Sequence, residues 1–328
     1  MMALFYLITI GKVVVVFTVF MVIVAYLSFI ERRMVARFQT RIGPNRVGPA
    51  GLLQIVADAI KLITKEEVFP ADANHTLFLL APLLSLIPAL LIMAVIPFGD
   101  KLTLFGKSVD LIISDLNVGI LFVFAVTSLG IYGVVMAGWS SNSKYSLLGA
   151  LRSSAQMISY EVSYGLSIMG VLMMAGTFNL MEIVRSQASF FEWFIFKQPI
   201  GFLIFSVCGI AETNRAPFDL PEAESELVAG YHTEYSSMKF GMFFMAEYAH
   251  MLNVSAIVTT LFLGGWQGPL LPPVVWFLIK VSIFLIAYIW LRATLPRFRY
   301  DQLMNFGWKF LLPLSLLNIF VTGLFMYL

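Results

Sequence analysis

Charge is scarce in this 328-residue chain: 12% of residues are Asp, Glu, Lys or Arg, against 59% hydrophobic. With a mean hydropathy of +0.87, that scarcity excludes an ordinary soluble core. Repeated apolar runs of about 20 residues can each cross roughly 30 Å of hydrocarbon as helices, so the chain is expected to be an all-α polytopic membrane protein in a lipid bilayer. Cysteine is almost missing. The lone Cys208 sits in an apolar run, which excludes an intramolecular disulfide and any cysteine-ligated cluster or zinc site within the chain. Histidine is short too: of His75, His232 and His250, the last alone falls clearly inside a span, whereas a transmembrane haem wants two axial ligands. No metal and no resident redox centre are therefore expected, and nothing points to nucleic acid. Long polar linkers, low-complexity tracts and internal repeats are lacking as well, so residues 1–328 read as a single transmembrane domain. The start, MMALFYLITIGK, has neither a basic leader nor a cleavage signature and reads as a retained first helix.

What is there falls into eight expected spans, at about 4–30, 77–98, 118–138, 155–177, 199–214, 240–263, 273–291 and 309–328. The fifth is short, yet keeping it gathers the bases on one side. Arg32, Arg33, Arg37, Arg41, Arg46, Lys61, Lys65, Lys144, Arg152, Arg215, Lys239, Arg292, Arg297, Arg299 and Lys309 then share a face, leaving Lys101, Lys107, Arg185 and Lys197 opposite. By the positive-inside rule the first face is expected to be cytoplasmic, with both termini outside.

The first loop of that face carries Arg33, Arg37 and Arg41 at intervals of four, which line one side if the first helix continues; anchoring against anionic lipid explains them equally well. GPNRVGPAG then breaks the helix. It is not a phosphate loop, since Pro49 and Ala50 stand where Lys and Ser or Thr are needed. After it, Gln54, Asp58, Lys61 and Lys65 recur at helical spacing opposite Leu52, Ile55, Val56, Ala59, Ile60 and Ile63. An interfacial amphipathic helix over about 50–66 is expected, its polar stripe either packed on the bundle or roofing a cavity that opens between lipid and cytoplasm.

Carboxylates inside the spans are the sharper signal. Glu161, Glu212 and Glu247 fall on three successive spans, with His250 one turn beyond Glu247 and Lys280 on the next. An ionised side chain near the bilayer centre costs roughly 2.5 to 3.5 kcal/mol on insertion scales, so such groups need neutralisation, water or a partner. A simple bond between Glu247 and His250 is the plainer reading; a proton path is the functional one, with Lys280 a further candidate member and Tyr160, Tyr164 and Tyr248 equally readable as core. The adjoining loop, ETNRAPFDLPEAESELVAGYHTEYSSMKF, holds Glu212, Asp219, Glu222, Glu224, Glu226 and Glu234 against Arg215 and Lys239. Acids so close hold one another's pKa up by repulsion, and the interleaved Pro217, Phe218, Leu220, Pro221, Leu227 and Val228 anchor the loop rather than leave it solvated.

That loop and ERRMVARFQTRIGPNRVGPAGLLQIVADAIKLITKEE resemble the signature segments of the H-subunit family of bacterial NADH:quinone oxidoreductase, respiratory complex I, whose mitochondrial counterpart is NADH dehydrogenase subunit 1. The resemblance covers the whole chain and implies a heel component of the membrane arm, where ubiquinone or menaquinone enters a narrow chamber. It implies that Glu31, Arg32, Asp58, Lys61, Arg215 and Asp219 line or adjoin the chamber, with Glu222, Glu224 and Glu226 beside them. Glu161, Glu212 and Glu247 would begin the proton route toward antiporter-like subunits. FMN and Fe–S clusters would sit on partner subunits, among them the hydrophilic-arm subunits that carry the terminal cluster and the quinone headgroup site. Small membrane subunits would be further neighbours. The rival readings are the membrane component of an energy-converting hydrogenase, a proton-coupled secondary transporter, which would show inverted repeats and midplane charges, and a scaffold, which would not carry buried carboxylates.

Overall fold

The computed structural model describes residues 2–104, 107–220 and 227–328, with side-chain burial from residue 9 onward and outside 102–108. Helix α1, Met2–Phe38, outlasts its apolar run and carries Glu31, Arg32, Arg33 and Arg37 in its last turns. Arg41 lies beyond it. The chain then turns through a 3₁₀ segment, Pro49–Gly51. Gly51 sits at φ 79°, where a Cβ would lie 2.3 Å from the Pro44 carbonyl oxygen, so only glycine closes this turn. Helix α2, Gln54–Thr64, follows, inside the expected interfacial helix and shorter at both ends because the 3₁₀ turn takes up its start.

Helix α3, His75–Ile92, is capped by Asn74, whose side chain accepts from Leu77 N at 3.3 Å. A connection with an antiparallel hairpin, β1 Lys101–Leu104 against β2 Lys107–Asp110, leads to α4, Gly119–Ser140. Then come α5, Lys144–Ala175, and the short α6, Leu180–Arg185, and α7, Phe194–Lys197. Helix α8, Pro199–Glu212, and α9, Ser237–Phe262, flank the acidic loop. Helix α10, Pro273–Thr294, precedes α11, Tyr300–Phe306, which a π-helical turn at Gly307–Leu311 joins to α12, Leu312–Tyr327.

Among the described residues, six helices are long and apolar enough to cross a membrane, namely α1, α3, α4, α5, α10 and the α11–α12 unit. The two remaining expected spans differ for separate reasons. Helix α8 has 14 residues, about 21 Å of rise, less than the hydrocarbon thickness. Helix α9 has 26 residues, but Lys239, Glu247, His250 and Asn253 interrupt its apolar character.

Helix α9 packs on α3, and α5 packs on α4, α8 and α12. Small residues allow the closest approach: a Cβ on Gly133 of α4 would sit 2.7 Å from Ser85 N and 2.9 Å from Ala81 O of α3. The core between the helices is filled by Phe78, Ile92, Ile120, Tyr160, Phe205 and Phe262, all buried. The loops after α1, α4, α8 and α10 meet at one end, hereafter the basic end. There Asn74 N donates to Ser140 O at 3.0 Å, Val68 N to Ser236 Oγ at 3.0 Å and Phe298 N to Pro217 O at 3.2 Å.

Candidate functional site

The site is assembled at the basic end by the turn after α8. Gln156, buried on α5, donates through Nε2 to Ala211 O and to Phe218 O, each at 2.9 Å. This bonding folds residues 213–220 back beneath α1, α9 and α10 and aims Arg215 inward. Arg215 Nη1 lies 3.0 Å from Glu31 Oε1 on α1, and its Nε lies 2.5 Å from Glu247 Oε1 on α9. The guanidinium also sits 4.4 Å from the centre of the Tyr248 ring. Arg292 of α10 contacts the same Glu31 oxygen, and Arg297 Nη2 reaches Asp219 Oδ2 at 3.0 Å.

Burial makes this cluster costly to dismantle. The side chains of Arg215 and Glu31 are 6% and 4% exposed, so water screens neither. Burial works against the Arg215 charge, but Glu247 and Glu31 overcome it and hold its pKa above the usual arginine value. For Asp219, burial outweighs Arg297, Arg292 and Arg215, and its carboxyl is raised above the ordinary aspartate value. Removing one member of such a set leaves an uncompensated buried charge.

Beside the cluster lies a cavity of about 40 Å³ whose lining includes Glu212, Glu247, His250, Ser85, Asn214 and Tyr231. It has room for a few waters. Glu212, the last residue of α8, is 4% exposed, and neither of its carboxylate oxygens has a hydrogen-bond partner within the described chain. Glu161 of α5 is near enough for its charge to act on Glu212, and it accepts from Ser128 Oγ of α4 at close range.

On the other side of α1, Arg32 Nη2 meets Asp58 Oδ2 at 2.5 Å, and Gln54 Nε2 donates to Asp58 Oδ1 at 3.0 Å. Burial alone would raise the Asp58 carboxyl, yet the bonds from Arg32 and Gln54 and the charges of Arg32 and Lys61 hold it below the ordinary value. Ser237 Oγ donates to Leu62 O at 2.9 Å, fastening α2 to α9. The polar stripe of α2 therefore turns toward the bundle at Asp58, while Val56, Ile60 and Ile63 face outward. Lys61 is exposed at the edge.

Most of the sequence-derived residues converge. Glu31, Arg215, Asp219 and Glu247 form one cluster; Glu212 and Glu247 share the cavity; Glu161 adjoins Glu212; Arg32 and Asp58 pair nearby. Glu222, Glu224 and Glu226 lie outside the described residues. Glu247 pairs with Arg215 rather than simply with His250. Lys280 is placed elsewhere: its Nζ donates to Leu263 O, Gly265 O and Gln267 O at 2.6, 3.0 and 2.6 Å, beyond the far end of α9. Sequence reasoning missed Gln156, and it read Arg292 and Arg297 as topology markers only. A glutamine at the start of an expected span was the available signal for the first; for the two arginines, the signal was two bases crowding the end of an apolar run.

The sequence profile of the NADH dehydrogenase family matches residues 11–323. A Koribacter versatilis protein, named as a second H subunit of NADH-quinone oxidoreductase, is 55% identical, covering 98% of this chain and 98% of its own length. A Geobacter sulfurreducens protein of the same name is 55% identical, over 95% of this chain and 94% of the relative. The H subunit of NADH-quinone oxidoreductase from Thermomicrobium roseum is 54% identical, over 92% of this chain and 91% of the relative. With a profile match over nearly the whole chain and relatives of this identity, the chain belongs to the NADH dehydrogenase family, as an H subunit of NADH-quinone oxidoreductase.

Proposed function

We propose that this chain couples quinone reduction to proton movement in a multisubunit NADH:quinone oxidoreductase of the bacterial inner membrane. It crosses eight times, with α8 and α9 as the fifth and sixth spans, the basic end in the cytoplasm and both termini on the periplasmic side. Flavin and Fe–S clusters sit on partner subunits, and the hydrophilic arm docks on the basic end. Quinone reaches its reduction site through a chamber that Glu31, Arg32, Asp58, Lys61, Arg215 and Asp219 line or adjoin.

The observation that carries this reading is the contact between a paired set of charges and an unpaired acid. Glu31, Arg215, Glu247 and Asp219 sit beside a cavity with room for a few waters, into which Glu212 brings two oxygens that have no hydrogen-bond partner among the described residues. Reducing a quinone takes up two protons and changes the charge of the chamber. The arginine-bridged carboxylates respond because each shares its counter-charge with a neighbour, and Glu247, common to the cluster and the cavity, passes the response to Glu212. From there Glu161 continues the route, with Glu222, Glu224 and Glu226 at the cytoplasmic mouth. The hydrogenase reading gains nothing specific, since the relatives are named for quinone chemistry.

The test is Glu212→Gln in the assembled complex. Quinone-linked NADH oxidation and proton pumping are expected to fall at least tenfold, while NADH oxidation by a soluble acceptor at the flavin is unchanged. Normal pumping in that variant would remove the proton-path assignment.

A further inference from the structure

One face of α1 remains outside the site just described. At its basic end, Phe29, Ile30, Arg33, Met34, Arg37 and Phe38 line an open hollow of about 440 Å³. Arg33 lies 5.7 Å over the Phe29 ring, and Phe38 stacks on Trp290 of α10 with ring centres 6.3 Å apart. The neighbouring arginine behaves differently: Arg32 points the other way and is bound to Asp58. Among the described residues, no carboxylate pairs with Arg33 or Arg37.

The same face continues down the membrane-spanning part of the helix. Val15, Val19, Val22, Tyr26 and Ile30 are exposed and recur every three or four residues. The stripe rises about 22 Å before it meets the arginines, longer than one leaflet of about 15 Å. Two guanidiniums one turn apart, with no carboxylate partner among the described residues, at the head of an apolar track longer than one leaflet and beneath an aromatic pair, match a molecule with an anionic head and long tails. Trp at this level is the usual interfacial placement.

The geometry points to a bound anionic phospholipid, its phosphate between Arg33 and Arg37 and its acyl chains along the Val15–Ile30 stripe. An acidic helix of a partner chain would also satisfy the arginines. The lipid is favoured because the apolar track starts at the headgroup level and runs only inward, as acyl chains do.

The test uses the whole complex, purified and stripped of loose lipid, then titrated with phosphatidylglycerol or phosphatidylcholine in nanodiscs. Retained phospholipid is counted by mass spectrometry. Phosphatidylglycerol is expected to bind the wild type selectively, and Arg33→Gln with Arg37→Gln to weaken it about fivefold per arginine. Arg33→Lys with Arg37→Lys should retain binding. A photo-crosslinking residue in place of Met34, in an otherwise native complex, should label lipid, and it decides the matter even if the glutamine variant does not assemble. Equal retention by the glutamine variant, no preference for phosphatidylglycerol, or a crosslink to a protein chain would each overturn the proposal.

Discussion

Arg215 and Lys280 are both buried cations, and the chain treats them in opposite ways. Lys280 Nζ has three donors and spends all three on backbone carbonyls at the far end of α9. Its ammonium lies 4.1 Å from the Trp193 ring, and next to it Gln187 accepts from Phe194 N and Gly264 N at 3.1 and 3.0 Å. Arg215 is matched instead to two carboxylates, one of which is shared with Arg292, and the adjacent Glu212 has no hydrogen-bond partner within the described chain. Satisfied polar groups fasten helices together, whereas charges held in shared and incomplete pairings can redistribute when a ligand or proton arrives. Under the proposed function, the difference separates a mechanical end of the molecule from a responsive one.

The strongest way to break that contrast is to remove Arg215. Arg215→Met strands Glu31 and Glu247 without their common counter-charge, at a cost of about 3–5 kcal/mol. Assembly seen on native gels and quinone-linked NADH oxidation should both collapse, and adding Glu247→Gln should restore part of the assembly but not the turnover. Lys280→Met comes next. It leaves three carbonyls without a donor, worth about 1–3 kcal/mol, so thermal scans should show a lower Tm while turnover per assembled complex is kept. Lost turnover at an unchanged Tm would reverse the roles assigned to the two cations.

The smallest effect concerns pH. The folded-state pKa of Asp58 is lowered from 3.8, so its pairing stabilises the α2 contact above that pH and is lost as pH falls below it. Burial lowers His232 from 6.5 to about 4. An acidifying solution therefore protonates the unfolded or opened loop first, and loop stability drops between those two values. Hydrogen exchange should show residues 227–236 loosening from pH 6.5 downward and α2 loosening only near and below pH 3.8. Simultaneous loosening would contradict separate control. His232→Phe should remove the first phase alone.

Local signals in the sequence carried far. Four-residue spacing located α2 and its polar stripe, GPNRVGPAG marked the break before it, and the cost of acids in spans singled out Glu161, Glu212 and Glu247. Pairings across the chain were not legible. Glu31 finds Arg215 and Arg292 at separations of 184 and 261 residues, which no periodicity encodes. Lys280 misled for a related reason: its acceptors are main-chain carbonyls, which leave no trace in residue type. Length and apolarity alone do not decide α8 and α9, where helix length and composition disagree. Glu222, Glu224 and Glu226, outside the described residues, remain expectations drawn from the acidity of their loop and from the resemblance.

Gln156 has a consequence for how the chain handles motion. One amide grips both the last turn of α8 and the backbone at Phe218, so the segment bearing Arg215 and Asp219 cannot slide while the grip holds without dragging the turn that carries Glu212. If the segment walls a ligand chamber as proposed, a ligand pushing on it would thus tug directly on the acid that faces the cavity, through a single strut two hydrogen bonds long.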